Sequence, residues 1–244
     1  MKFLLDTHTH TIASGHAYNT IIEMVEEASK KGLGILGITE HAPTMPGSCH
    51  EFYFQNLKAV DREYIKEKYN IELILGVELN LLDEKGTVDL PTRTIKGLDV
   101  TIASLHKPCF SSMGLEKNTE AVVSALKNPL IDIIGHPDDS RIPILYEPVV
   151  KMAKEQGKLL EVNNSSLNPK GYRVGARENY KIMLELCKKY NQPVVVNSDA
   201  HFCTAVGNFA NVEGLFEEVG FPEELVVNTS LEKFKIYIQK YKKK

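Results

Sequence analysis

The sequence predicts an α/β fold in which parallel strands, each followed by a helix, close into a barrel. Short runs rich in Ile, Val and Leu alternate with amphipathic helical patterns along almost the whole chain. The runs lack the strict apolar–polar alternation of half-exposed strands, which is typical of strands buried on both faces of a parallel sheet. Neither a linker nor a repeat interrupts this order, so residues 1–244 are predicted to form a single domain.

Seven apolar runs are predicted as strands, one fewer than in the usual eight-stranded TIM barrel. They are Phe3–Leu5, Ile35–Thr39, Ile71–Val77, Val100–Leu105, Ile131–Gly135, Leu159–Asn163 and Pro193–Asn197. The count predicts a reduced, TIM-like (βα)7 barrel.

Helical patterns fill the gaps between the predicted strands. Apolar stripes at helical spacing begin at Ile21, Leu57, Val122, Val149, Tyr180, Leu215 and Leu231. Thr20 offers an N-cap to the first stripe and Ser230 to the last, while Gly32 supplies a C-terminal stop. Three connections exceed the usual loop length, at residues 42–54, 107–117 and 164–175. Loops of this length in a compact domain are usually functional or mobile.

Composition and charge exclude several classes of protein. A hydrophobic fraction of 43% and a charged fraction of 25% are ordinary for a globular domain. The net charge of −3 exerts no broad attraction on nucleic acid or anionic lipid, so a nucleic-acid partner is disfavoured. No run approaches the ~18 apolar residues of a membrane span, and the charge at Asp6 comes too early for a signal peptide. We therefore expect a cytoplasmic protein without a membrane partner, and a homo-oligomer is compatible with the sequence.

The cysteines argue against sulfur-based scaffolding. Cys49, Cys109, Cys187 and Cys203 are scattered and form no C-x-x-C pair. A disulfide framework or a thiolate zinc site is therefore not expected.

Histidines and carboxylates follow the predicted strands at the points where the strands end. His8 and His10 are one residue apart, and an extended backbone turns such alternate side chains to the same side. Nine residues share this kind of position: His8, His10, His16, His41, Glu78, His106, His136, Asp199 and His201. Because functional groups of parallel βα barrels come from the carboxyl ends of the strands, we expect these side chains to converge on one rim.

A convergent set of imidazoles and carboxylates predicts a metal cluster. Neutral imidazole is the commonest protein ligand for metals. Nine ligands exceed the three or four that one tetrahedral zinc ion takes from the protein, so two or three ions are expected. A donor set without thiolate suits zinc, iron or manganese. Such clusters lower the pKa of bound water and stabilise the charge of an in-line displacement, which favours hydrolysis of a phosphate ester.

The motifs, taken as a set, resemble the PHP family, named for polymerase and histidinol phosphatase domains. They are Asp6-Thr7-His8-Thr9-His10, Thr39-Glu40-His41, Gly76-Val77-Glu78, His106, His136 and Asn197-Ser198-Asp199-Ala200-His201. The segments 161–166 and 207–209 are similar to the small stand-alone bacterial phosphatases of that family. The resemblance implies a distorted TIM-like (βα)7 barrel that holds three divalent metal ions, with zinc expected first and manganese or iron as alternatives.

The resemblance also implies roles for single residues. One ion would be held by His8, His10 and Asp199, and Glu78 would bridge to a second ion that His106 and His136 complete. The third ion would be held by His16, His41 and His201. The implied activity is that of a phosphatase on a small phosphorylated substrate, with a metal-bound hydroxide as the nucleophile.

Residues outside the ligand set are candidates for the substrate and for ligand orientation. Arginine forks match phosphate oxygens, so Arg173 and Arg177 are candidate substrate contacts, together with Lys107, Lys170 and Asn164. Asp6 and Glu40 are expected to orient ligand imidazoles through the other ring nitrogen. His50 lies inside a loop and is expected either to be exposed or to meet the substrate from a lid.

Three other functions remain open at this point. A nuclease or phosphodiesterase acting on nucleic acid ends would use similar metals, but it predicts a basic groove with stacking aromatic residues. An amidohydrolase shares the initial His-x-His, yet Glu78 and the Asp199-Ala200-His201 motif speak against it. A non-catalytic, metal-stabilised module is disfavoured because the ligand set is complete.

Overall fold

The fold is a nearly closed barrel of seven parallel strands, seen in a computed structural model that describes residues 1–242. The sheet order is β1-β2-β3-β4-β5-β6-β7. The strands are β1 (Leu5–Asp6), β2 (Ile35–His41), β3 (Glu72–Asn80), β4 (Thr101–Ser104), β5 (Ile133–Gly135), β6 (Leu159–Asn163) and β7 (Val194–Asn197). The predicted (βα)7 fold class is thus confirmed, with every neighbouring pair of strands parallel.

Helices connect the strands and cover the outer face of the sheet. They are α1 (Ile21–Lys30), α2 (Glu51–Asn56), α3 (Arg62–Tyr69), α4 (Thr92–Ile95), α5 (Leu115–Lys127), α6 (Tyr146–Gln156), α7 (Ala176–Tyr190), α8 (Ala210–Val219), α9 (Leu231–Tyr237) and α10 (Gln239–Lys242). Thr20 and Ser230 cap α1 and α9 as predicted, and Thr20 forms a reciprocal capping box with Glu23.

Two strands extend further than the sequence indicated, and this changes how they carry their polar residues. β2 continues to His41 and β3 to Asn80, and the register pairs His41 with Glu78. Both side chains therefore project from regular strands rather than from loops. Residues on a strand are held more firmly than residues on a loop, which favours a fixed site at this place.

The barrel interior changes character from one end to the other. Alternate positions of β3 read Ile74, Gly76 and Glu78, and the apolar members of this inner layer form their own cluster. Phe234 and Ile238 belong to the same cluster, so the segment around α9 fills the end of the barrel where the strands begin. The interior at the opposite end is left to polar side chains.

Asn228 closes the gap between the first and last strands, which no ladder joins within the described residues. Its Oδ1 accepts a hydrogen bond from Val196 N at 2.7 Å, and its Nδ2 donates to Leu5 O at 3.0 Å and Val196 O at 2.6 Å. Its backbone O accepts from Leu4 N at 2.8 Å. This buried amide joins the two strands at this point, while Thr7 N donates to Asn197 Oδ1 and Thr9 pairs with Ala200 nearer the carboxyl ends.

Across the described residues, no helix combines the length and the apolar character that crossing a membrane requires.

Candidate metal centre

The nine predicted ligands meet at the carboxyl ends of the strands. Neighbouring imidazoles pack against one another, with ring centroids 4.2 Å apart for His10 and His41 and 5.0 Å apart for His106 and His136. His16 stacks on His41 at 4.8 Å and on His201 at 5.0 Å. His16 and His201 reach solvent, whereas the other seven residues are buried. The structure therefore brings the nine side chains together on one rim of the barrel.

Glu78 lies at the centre of the cluster. Its carboxylate oxygens lie near five ring nitrogens, those of His41 at 2.6 Å, His136 at 2.7 Å, His106 at 3.1 Å, His8 at 3.3 Å and His10 at 3.6 Å. Asp199 Oδ1 lies 3.2 Å from His10 Nε2 and 3.7 Å from His8 Nε2. The two carboxylates therefore share His8 and His10 as neighbours.

The donor atoms fit divalent ions. Seven buried ligand atoms have no hydrogen-bond partner: His8 Nε2, His10 Nε2, His41 Nδ1, Glu78 Oε2, His106 Nε2, His136 Nδ1 and Asp199 Oδ1. Buried polar atoms in native proteins are normally paired, so such a concentration needs a cause. Ligands about 2.0–2.2 Å from one tetrahedral zinc ion lie about 3.3 Å from each other, a spacing that several of these nitrogen–oxygen pairs match.

The atoms fall into four overlapping groups whose members lie within 4.8 Å of one another. The groups are His8–His10–Glu78, His8–His136–Asp199, His41–Glu78–His106 and His10–His41–His201. His16 belongs to none of the four, although its ring stacks on two of their members. The division into three ion sites stays a prediction.

Hydrogen bonds on the far side of three imidazoles fix their orientation. His8 Nδ1 donates to Glu161 Oε1 at 2.7 Å, and His106 Nδ1 donates to Asn80 Oδ1 at 2.7 Å. His10 Nδ1 lies 3.1 Å from Ser14 Oγ. Each bond places the proton on Nδ1 and leaves the lone pair of Nε2 facing the cluster, where it can bind a metal ion.

The residues that orient the ligands differ from those expected. Asp6 accepts hydrogen bonds from Ser198 N and Gly207 N, so it anchors the segment after β7, and no imidazole of residues 1–242 forms a hydrogen bond with it. Glu40 acts one step away, because it accepts from Ser14 Oγ at 2.5 Å. Glu161 was not expected in this role, and its sequence signals are its charge within a buried strand and its place in the family-like segment 161–166.

Electrostatics favour ionised carboxylates beside the ring nitrogens. Burial alone would raise the pKa of Glu78, but the surrounding histidines outweigh it and hold that pKa well below its usual range. Burial, together with His41 and His201, holds the pKa of His10 well below its usual value. His10 is therefore neutral at pH 7, and the lone pair of its unprotonated ring nitrogen can bind a cation.

Two ligand positions carry backbone strain. His136 has φ 26° and Asp199 has φ 55°, a region that residues other than glycine rarely occupy. The strain at His136 is held in part by its backbone N–H, which donates to Glu161 Oε2 at 2.8 Å. Conformations of this kind persist where the surroundings fix them, and they concentrate at functional sites.

Removing the charge of Glu161 is expected to weaken metal binding. In Glu161→Gln the amide oxygen still accepts from His8, but the carboxylate that raises the basicity of the ring is lost. We expect metal affinity to fall about 10–100-fold, measured by competition with a chromophoric chelator. Glu155→Gln, an exposed change on α6, is the matched control. Equal affinities for the two variants would contradict this role.

A cavity of about 930 Å³ opens above the cluster. Arg173 lines it with a side chain that is only 5% exposed, and its Nη2 lies 3.9 Å from Asp199 Oδ2. Lys107 and Asn164 also line the cavity, and their role as substrate contacts stays a prediction. The Oδ1 of Asn164 accepts from Asn211 N in the first turn of α8, which leaves the amide nitrogen for a ligand.

Arg177 and Lys170 are not among the residues that line the cavity, so the structure does not support their expected role. Arg177 is exposed near the start of α7 and forms an ion pair with Glu218 on α8. Helix α7 begins at Ala176, between the two arginines. Arg173 precedes the helix and faces the cavity, whereas Arg177 lies in its first turn and faces outward.

Two further residues complete the surroundings. His50 is exposed and caps α2 by accepting from Phe52 N at 3.1 Å, which agrees with the first of its two expected readings.

Asp138 is fully buried beside the cavity and accepts from Tyr180 Oη at 2.9 Å and Ser166 Oγ at 3.2 Å. Burial raises the pKa of Asp138 to about 7, although Arg173 opposes the shift. No motif in the sequence singles out Asp138.

Comparison with known proteins points to one family. The sequence profile of the PHP domain matches residues 6–243. A protein named probable phosphatase from Caldanaerobacter subterraneus subsp. tengcongensis is 47% identical, over 100% of this chain and 94% of the relative. Another protein named probable phosphatase, from Clostridium novyi, is 43% identical over 98% of this chain and 96% of the relative.

Solved structures show the same fold. The histidinol phosphate phosphatase of Lactococcus lactis subsp. lactis, crystallised with zinc, L-histidinol and phosphate, superposes with a TM-score of 0.61 at 18% identity. The match covers 89% of this chain and 94% of that one. A chain of an archaeal ribonuclease P with mature tRNA superposes with a TM-score of 0.54 at 16% identity, over 96% of this chain and 87% of that one.

Proposed function

This chain belongs to the PHP domain family, and we propose that it is a metal-dependent phosphatase that hydrolyses monoesters of small molecules. The observation that carries the proposal is the convergence of nine ligand-type residues, centred on Glu78, at the floor of a cavity of about 930 Å³. Relatives of nearly the same length are named probable phosphatases, which supports the same activity for residues 1–244 acting as one domain.

We propose three ion sites, distributed as the family pattern implies. His8, His10 and Asp199 would hold the first ion, and Glu78 would link it to the second. The second would be completed by His106 and His136, and the third would be held by His16, His41 and His201. Zinc is the first candidate because the donors are nitrogen and oxygen and because zinc accompanies the Lactococcus enzyme. Ions bound there would lower the pKa of water and neutralise charge on the phosphoryl group.

Arg173 is proposed to bind the phosphoryl oxygens. Its guanidinium lies beside Asp199 and has no hydrogen-bond partner among the described residues. Burial opposes its charge, but Asp138, Tyr172 and Asp199 raise the pKa of Arg173 above its usual value, so it stays cationic. A planar fork with free N–H groups matches two phosphate oxygens at once.

Removing this fork is expected to weaken catalysis without emptying the metal sites. Arg173→Ala should lower kcat/KM for p-nitrophenyl phosphate about 100-fold, the effect of losing about 3 kcal/mol from a charge-assisted contact. Arg177→Ala is the matched control and should leave kcat/KM unchanged. Metal content, measured by elemental analysis, should stay the same in both variants. Equal kinetics for the two variants would remove Arg173 from the site.

The proposed function is tested by steady-state hydrolysis with controlled metal content. The protein loaded with zinc or manganese should hydrolyse p-nitrophenyl phosphate and a set of phosphorylated metabolites. Activity should be lost on chelation and return when the metal is restored. A fully loaded protein that cleaves amides or short oligonucleotides, but no phosphate monoester, would overturn the assignment.

A further inference from the structure

The charged groups that line the cavity are unbalanced in favour of positive charge. The lining cations are Lys107, Arg141 and Arg173, and the lining carboxylates are Asp139 and Asp199. Asp199 belongs to the candidate metal centre. Asp139 is committed to Arg141, because its Oδ1 and Oδ2 each accept from Arg141 Nε at 2.9 Å.

Lys107 is therefore the lining cation left without a balancing carboxylate, because Arg173 lies 3.9 Å from Asp199 and Arg141 pairs with Asp139. Lys107 is exposed on the loop after β4, and none of the ion pairs between described residues includes it. Among the described lining residues, no carboxylate remains for a positively charged group of a substrate. Divalent ions in the cluster would add to the positive potential.

The rest of the lining is neutral and suited to hydroxyl groups. Hydrogen-bonding amides come from the loops after β6 and β7, through Asn164, Asn168 and Asn208, and from the first turn of α8, through Asn211. Met45, Pro46, Leu105 and Phe202 add apolar surface. A volume of about 930 Å³ far exceeds the needs of a phosphoryl group, so the organic part of the substrate also lies inside.

We propose that the cavity selects phosphate monoesters whose organic part is neutral or anionic, and that it rejects esters carrying an ammonium group. This inference rests on the proposed phosphatase function and names the substrate class of the same site. An ammonium group would lose water and meet the unpaired charge of Lys107, with no lining carboxylate free to balance it. Amino-alcohol phosphates, of which histidinol phosphate is one, are accordingly expected to be poor ligands.

The test compares two esters that differ in one terminal group. 4-Hydroxybutyl phosphate and 4-aminobutyl phosphate are measured at pH 7 as competitive inhibitors of p-nitrophenyl phosphate hydrolysis by the zinc-loaded protein. The amine should bind about tenfold more weakly, the order expected for one like-charge approach over several ångströms. Equal inhibition by the two esters, or tighter binding of the amine, would overturn the proposal.

Lys107→Glu supplies the second measurement. The new carboxylate should reduce or reverse the preference for the hydroxyl ester, changing the ratio of inhibition constants about tenfold or more. Lys127→Glu makes the same change of net charge at the far end of α5 and should leave the ratio unchanged. An unchanged ratio in Lys107→Glu would contradict the role of this lysine.

The outcomes separate this proposal from the proposed function. Turnover of p-nitrophenyl phosphate without discrimination between the esters would remove the charge selection and leave the phosphatase assignment intact. If the zinc-loaded protein does not turn over p-nitrophenyl phosphate, the assignment fails. The two esters are then compared by calorimetric binding to the same protein, with the same expected ratio.

Discussion

Glu78→Gln is expected to lower kcat/KM for phosphate ester hydrolysis about a thousandfold or more. The carboxylate lies between five imidazoles, and no other carboxylate of residues 1–242 forms an ion pair with the rings of His41, His106 and His136. A neutral amide removes the negative charge that would link neighbouring ions. A loss of about 4 kcal/mol of transition-state stabilisation corresponds to a thousandfold in rate.

The substitution keeps the shape of the side chain. The amide oxygen can still accept from Ser104 Oγ, which lies 2.7 Å from Glu78 Oε1, so the barrel should fold. Metal content per chain, measured by elemental analysis, should fall together with activity. Glu67→Gln, an exposed change on α3, is the control and should alter neither. Full metal content with an unchanged rate would contradict the central position of Glu78.

Asn228→Ala is expected to lower the free energy of unfolding by about 3–5 kcal/mol. The substitution removes three side-chain hydrogen bonds and leaves Val196 N, Val196 O and Leu5 O without partners in a buried place. An unpaired buried group costs about 1–3 kcal/mol. Urea denaturation followed by circular dichroism measures the change.

The matched control for this change is Asn56→Ala, because Asn56 is exposed and makes no side-chain capping bond. Its effect should stay within about 0.5 kcal/mol. A loss below about 1 kcal/mol in Asn228→Ala would show that the strands flanking the gap hold together without this amide.

The sequence predicted the strands and the convergence of the nine candidate ligands because both follow local rules. A run such as Leu159–Asn163 is buried on both faces, as in any parallel sheet that helices cover, and strand ends in a βα barrel share one rim. The positions of His41 and Glu78 needed only this rule. That both residues belong to the strands, and not to the loops that follow, is seen only from the register of β2 and β3 in the structure.

The remaining features depend on contacts between distant parts of the chain. Glu161 meets His8 across 153 residues, and nothing near either residue in the sequence signals the pair. Arg173 and Arg177 are only four residues apart, and the start of α7 at Ala176 decides that Arg173 alone lines the cavity. Asn228 lies within a short 3₁₀ segment, Val227–Thr229, where an amide has many ordinary uses.

The seam that Asn228 spans also runs through the metal centre. His8 and His10 follow β1 on one side, and Asp199 and His201 follow β7 on the other. Cations bound by residues from both sides would cross-link the first and last strands of the barrel. Metal loading should then raise the unfolding temperature. Loss of the ions should destabilise the barrel first between β1 and β7.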